Sequence, residues 1–273
     1  MVNSDQLLIT QKKAYEILLI DTLKNTSIKI DHDIPVDGRE QGGLLDIISE
    51  GNNVWVTCSI KKDYGYTTAV FRAKLENNRL VDSQLIFEAL PYITNGRHFG
   101  SRMTIKDEYL YVSIGERGKG MIAQDAYKHP GSVIRIHLDG SIPKDNPRFE
   151  GKSKWLPEIY QIGIRNPQGL TISPYNGKVY ISNHGAKGGD WFGEVKKGEN
   201  YGWKILGWGG KNYSGIPIGP KWKPGFTKAI QYWVPSIATS AIKIYKGDEF
   251  KERNGHAVIT SLTDQSLRKL IFN

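Results

Sequence analysis

Cys58 is the only cysteine in the chain, so an internal disulfide is excluded. It lies in Val54-Trp55-Val56-Thr57-Cys58-Ser59-Ile60, whose β-branched and aromatic residues read as a strand, and the expected thiol is buried and inert. No apolar run approaches the roughly 18 residues that a membrane-spanning helix needs, which argues against insertion into a bilayer. The start, Met1-Val2-Asn3-Ser4-Asp5, lacks the basic and then apolar layout of an export signal. Helical periodicity is weak everywhere, the N-terminal stretch being the nearest to an exception. Concentrated basic charge is missing too. The formal charge is +9, but it is scattered, with pairs at Lys12-Lys13, Lys61-Lys62 and Lys196-Lys197 and no basic helix or long run. That distribution speaks for a solvated basic surface or a small anionic ligand, and against nucleic acid.

What is present is β-forming material. The chain of 273 residues holds 30 Gly, 14 Tyr and 7 Trp, enough for one large β domain spanning 1–273. Four segments share one plan of apolar strand, polar turn and apolar strand: Gly43 to Ser59, Ser101 to Gly115, Gly169 to Gly185 and Ser240 to Leu262. They recur every roughly 60 to 70 residues, a spacing that suits a four-stranded sheet per repeat and therefore a β-propeller. Further strands fall at Thr67 to Leu75, Ser132 to Leu138 and Ser266 to Phe272. Asp5 to Thr10 reads as the second strand of a hairpin with no first, and the chain stops after what would be the third strand of a repeat. The expected fold is therefore an incomplete all-β propeller of about four to five blades, the first partial and the last missing. A smaller propeller that closes in its own way is the alternative.

The densest polar chemistry lies in Ile164-Arg165-Asn166-Pro167-Gln168-Gly169-Leu170 and Asn183-His184-Gly185-Ala186. A guanidinium fork, carboxamides and accessible glycine carbonyls can together hold a flat, multiply anionic ligand with a metal beside it. Taken alone, the Arg-Asn-Pro-Gln run is equally compatible with ordinary turn chemistry.

An ordered set of motifs sharpens this reading: Gln41-Gly42-Gly43-Leu44-Leu45-Asp46, His98-Phe99-Gly100-Ser101-Arg102, Ser113-Ile114-Gly115-Glu116-Arg117-Gly118, Asp139 to Pro147, Arg165 to Leu170, Gly188-Gly189-Asp190 and Asn200-Tyr201-Gly202-Trp203. In this order the chain resembles the soluble, pyrroloquinoline-quinone (PQQ)-dependent aldose sugar dehydrogenases of the glucose/sorbosone dehydrogenase family, six-bladed β-propellers. The resemblance implies oxidation of the anomeric hydroxyl of an aldose to a lactone, with electrons passing to PQQ and then to an external acceptor. It also implies a periplasmic or secreted location.

Residue by residue, the resemblance makes His98 the general base on the sugar hydroxyl, a role that suits imidazole because it titrates near neutrality. Glu116, where the family usually has aspartate, would orient that imidazole; a surface ion pair with Arg117 or Lys119 is the bland alternative. Arg165 and Asn166 match residues that bind the quinone, Arg165 being suited to stabilise oxyanion character. Gln168 and Gln41 match polar positions near cofactor and substrate, with Gln41 and His98 on the substrate side. Gly185 and Ala186 stand where two main-chain carbonyls bind Ca2+, Ala186 replacing a proline. Thr263 stands in place of a lysine expected to contact PQQ. Trp191 replaces a glutamate after Asp190, and Ile164 replaces a histidine. The cofactor-anchoring half of the pattern thus departs more than the proton-transfer half. A catalytically inactive propeller that binds carbohydrate or a protein partner in the same cleft stays open beside the dehydrogenase reading. A calcium-dependent propeller lactonase would need an additional acidic cluster.

Overall fold

A computed structural model describes residues 5–272. The strands are β1 (Gln6–Gln11), β2 (Glu16–Asp21), β3 (Thr26–Ile30), β4 (Leu44–Glu50), β5 (Asn53–Lys62), β6 (Gly65–Glu76), β7 (Arg79–Glu88), β8 (Gly100–Lys106) and β9 (Tyr109–Ile114). They continue with β10 (Ser132–His137), β11 (Ile159–Ile162), β12 (Asn166–Ile172), β13 (Val179–His184), β14 (Asp190–Glu194), β15 (Gln231–Trp233), β16 (Thr239–Ile244), β17 (Ala257–Ser261) and β18 (Ser266–Leu270).

Among the described residues these strands form five antiparallel meanders: β1-β2-β3, β4 to β7, β8 to β11, β12 to β15, and β16-β17-β18. They are the blades of a five-bladed β-propeller. The four hairpins read from the sequence are β4-β5, β8-β9, β12-β13 and β16-β17, and the intermediate strands are β6, β10 and β18. The hint of helix near the N-terminus is overturned. Its short, β-branched apolar runs pair as β1 and β2, in register from Gln6 opposite Asp21 to Gln11 opposite Glu16. β1 has β2 as its one ladder partner among the described residues, as expected for a strand without a preceding mate. Outer strands such as β7 and β15 escaped the reading because they are polar or very short.

The blades pack face to face, and strand alternation supplies the apolar surface for both faces. Within β5, Val54, Val56 and Cys58 turn toward the first blade and meet Ile17 and Ile30. Trp55 turns the other way and joins Leu110, Val112 and Ile134 of the third blade. In β10, Val133 packs toward Ile181 and Trp191 of the fourth blade, while Ile134 and Ile136 pack toward the second. Tyr180 and Phe192 close the next interface against Ile242, Ile244 and Ile259. Polar bolts add register: Trp55 Nε1 donates to Leu138 O at 2.9 Å, Thr57 Oγ1 to Ser101 O at 2.7 Å, and Ser182 Oγ to Ser240 O at 2.9 Å. The innermost strands of neighbouring blades, β4, β8, β12 and β16, therefore stand side by side around one axis.

Cys58 is fully buried between the first two blades, and burial pushes its thiol from the ordinary 9.0 up to about 12. The folded state thus favours the thiol, so this group's contribution to stability is intact below about pH 9 and declines as pH rises from 9 toward 12. Native protein at pH 8 should resist iodoacetamide and incorporate one label per chain only after unfolding in urea. Labelling of native protein at the rate of a free thiol would contradict the burial.

Candidate active site

In an antiparallel hairpin the start of the first strand and the end of the second lie at the same edge. Gln41 precedes β4; His98 precedes β8 and Glu116 follows β9; Arg165 precedes β12, and Gly185 and Ala186 follow β13. One face of the ring therefore collects them all. Gln41, His98, Glu116, Arg165 and Ala186 line a single open cavity of about 480 Å³ together with Trp203.

His98 is held from three sides. Its backbone is left-handed (φ 50°), and its N–H donates to Gln41 Oε1 at 2.8 Å. Gly115 is essential to the fit, because a Cβ there would lie 2.0 Å from His98 O. The imidazole Nδ1 is 2.6 Å from Glu116 Oε1. A carboxylate accepts, so Nδ1 is the nitrogen that donates to Glu116 and Nε2 is the one left free; among the described residues nothing bonds Nε2. Glu116 is 2% exposed, and its second oxygen accepts the Gly120 N–H. The surface ion pair is thereby excluded. Arg117 points elsewhere, donating to the carbonyls of Arg97, Tyr66 and Asn95 with its guanidinium 3.7 Å from the Phe99 ring centre. Burial lowers its pKa to about 10, against the attraction of Glu116.

The second hairpin is tied to the first where Glu116 N–H donates to Arg165 O at 2.8 Å. Asn183 Oδ1 accepts from both Arg165 N (3.1 Å) and Asn166 N (2.8 Å), which shapes the entry to β12. The Arg165 guanidinium reaches His184 O at 3.5 Å and lies 5.3 Å from the Trp203 ring centre. It is buried, and burial lowers its pKa despite the nearby Tyr213 and Glu116. Among the described residues it has no carboxylate ion pair, and the buried Trp203 Nε1 beside it has no hydrogen-bond acceptor. One wall thus offers an indole N–H with no acceptor and a guanidinium with no counter-ion to an acceptor-rich ligand.

Asn166 and Gln168 face a neighbouring cavity of about 270 Å³, which Gln41 shares with the first. Gln168 Nε2 donates to Asn166 Oδ1 at 3.0 Å. Thr263 is an exposed residue of the β17-β18 turn and lines neither cavity, so the structure does not bring it to the others.

The Gly185-Ala186 loop is strapped by Asp190. This fully buried carboxylate accepts from Gly185 N at 2.8 Å with Oδ1 and from Thr239 N at 3.2 Å with Oδ2, joining the fourth blade to the fifth. Among the described residues no donor engages the Gly185 or Ala186 carbonyl, and no group of three His, Cys, Asp or Glu side chains could hold a metal. The departures beside this loop are structural: Trp191 stacks on Tyr201 at 4.0 Å, and Ile164 is fully buried in the core. His184, to which sequence reasoning assigned no role, lines the second cavity and bonds Thr239 O. Burial lowers its pKa, Asp190 opposing. Its place directly before Gly185 was the available signal.

The profile of the Glucose / Sorbosone dehydrogenase family matches residues 1–273. The chain belongs to this family. It is 34% identical over 240 residues to the aldose sugar dehydrogenase YliI of Escherichia coli K12, covering 83% of this chain and 64% of that protein. It is 37% identical over 248 residues to an uncharacterised protein of Synechocystis, covering 85% and 60%. The chain thus spans about three-fifths of the length of these curated relatives. A glucose dehydrogenase crystal structure superposes with TM-score 0.94 at 29% identity, over all of this chain and 82% of that one. The soluble aldose sugar dehydrogenase of E. coli, in its apo form, gives 0.90 at 29% identity, over 98% and 83%. The five blades here match the six-bladed sugar dehydrogenases.

Replacing Asp190 with Ala would leave two buried N–H groups unpaired, at about 1–3 kcal/mol each. Urea unfolding should show that loss, Asp190→Asn should show a smaller one, and exchange of the Gly185 amide should quicken. Wild-type stability in Asp190→Ala would refute the strap.

Proposed function

We propose that this cleft oxidises the anomeric hydroxyl of an aldose to a lactone, as part of a PQQ-dependent sugar dehydrogenase. What supports the reading is one juxtaposition: a carboxylate-oriented imidazole with a free Nε2 in the same cavity as a buried guanidinium that has no carboxylate partner among the described residues. PQQ, when bound, supplies the two-electron acceptor that takes hydride from the anomeric carbon, and passes the electrons to an external acceptor. The residues present fit such a group, since Arg165 has no carboxylate partner among the described residues, only the His184 carbonyl at 3.5 Å, and Trp203 Nε1 has no acceptor. Arg165 would hold a quinone oxygen, with Asn166, Gln168 and Gln41 flanking it, and the carbonyls of Gly185 and Ala186 would face Ca2+. Thr263, on its exposed turn, would contribute little.

The chain's own chemistry is proton transfer. His98 Nε2 takes the proton of the sugar hydroxyl as C–H cleavage proceeds. Glu116, anchored by the Gly120 N–H, keeps the ring oriented and stabilises the imidazolium. Gln41 holds the backbone of His98 and offers its amide to the substrate side. A periplasmic or secreted location belongs to the same reading.

Purified protein given PQQ and Ca2+ should reduce a redox dye when an aldose is added. His98→Ala should lower turnover by about two to four orders of magnitude while PQQ stays bound. Unchanged turnover with cofactor bound would remove His98 from the role of base. Arg165→Lys should weaken PQQ binding about ten-fold, since a point charge does not reproduce a planar fork. A bound-quinone spectrum without turnover would favour the inactive propeller that binds carbohydrate or a protein partner. Absence of both signals would sink the cofactor reading.

A further inference from the structure

The smaller cavity beside the cleft carries charge that the proton-transfer chemistry does not use. Its wall includes Lys12, from the turn after β1, and Arg102, from β8, with Gln41, Asn166, Gln168 and His184. No acidic side chain lines it. Lys12 has no ion pair or side-chain hydrogen bond among the described residues, whereas its neighbour Lys13 is engaged by the carbonyls of Gly38 and Glu40. Burial, Lys13 and Arg102 all lower the Lys12 pKa, so the ammonium meets cations and no neutralising partner.

Arg102 is equally under-used. Its Nε is buried without a hydrogen-bond partner. The nearest carboxylate, Asp46, stands 3.7 Å from its NH1, beyond hydrogen-bond reach. Asp46 is itself committed, accepting the Ile47 N–H at 3.0 Å with one oxygen and the Met103 N–H at 2.9 Å with the other. Even with Asp46 counted, the two cations leave one net positive charge facing a cavity of about 270 Å³, ringed by carboxamides that donate hydrogen bonds.

We propose that Lys12 and Arg102 form a carboxylate-binding subsite in this channel, with Gln41 linking it to the cleft. A carboxylate there would give Arg102 Nε its acceptor and Lys12 its counter-charge. The shared chemistry is a small polycarboxylate. Its source is either a free di- or tricarboxylate or the carboxylate edge of a quinone bound next door; only the second rests on the redox reading.

Calorimetric titration of the protein with citrate, with PQQ, and with sorbitol as an uncharged comparator tests this. Lys12→Met is the first variant, since Lys12 lies on an exposed turn and its backbone carbonyl, which accepts the Leu44 N–H, is retained. Arg102→Gln is the second, with urea midpoints measured for both. Citrate should bind, sorbitol should not, and each variant should weaken citrate by about ten-fold or more. If PQQ displaces citrate and Lys12→Met weakens both, or weakens PQQ where citrate is not held, the source is the quinone edge. If Lys12→Met weakens citrate alone, the source is a free carboxylate. Lys12-dependent citrate binding without any PQQ binding would keep the subsite while removing the redox reading. The subsite is overturned if neither probe binds, or if Lys12→Met and Arg102→Gln bind both as wild type does.

Discussion

Face-to-face burial of twisted sheets is the constraint on which everything else here rests. Each central strand must be apolar on both faces, as β5 is with Val54 and Val56 on one side and Trp55 on the other. Sheets buried on both faces pack radially, and radial packing brings their innermost strands around one axis. The ends of those strands then have nowhere to point but toward a shared mouth. A pocket is thus a consequence of the architecture before any functional residue is chosen.

Buried charge is what gives that mouth its chemistry. Glu116, Arg117 and Asp190 are each removed from water, and each is matched in full: Glu116 by an imidazole and an amide, Arg117 by three carbonyls and a phenyl ring, Asp190 by two amides of adjoining blades. Other donors are less fully matched: Trp203 Nε1 and Arg102 Nε are buried without an acceptor, Arg165 is buried without a carboxylate, and the exposed Lys12 has no counter-ion among the described residues; all four residues line the two neighbouring cavities. Buried donors without acceptors, here Trp203 Nε1 and Arg102 Nε, cost free energy that an anionic ligand would recover. The unmatched set is therefore the informative one.

Much of the fold could be read from the chain. The hairpins at Gly43 to Ser59 and Gly169 to Gly185 declared themselves because their strands alternate strongly around polar turns. β15, at three residues after a long connection, could not, since so short a strand exists only through its pairing with β14. Family membership was legible through ordered motifs, as was the convergence of His98, Glu116 and Arg165 on one cavity. The role of Asp190 as a strap was not, because its partner Thr239 is distant in sequence. Nor was the exposure of Thr263, nor the alignment of Lys12 with Arg102.

The sequence by itself determined that the chain is a repetitive β protein of this family and which side chains carry its polar chemistry. Composition and local periodicity suffice for that, being properties of neighbours along the chain. Tertiary structure alone decided which of those side chains share a cavity, that Nδ1 rather than Nε2 of His98 is occupied, and that two cations from the first and third blades line one cavity with Asp46 beside only one of them. Those facts depend on contacts between blades far apart in sequence, where blade packing rather than any local signal sets the distance.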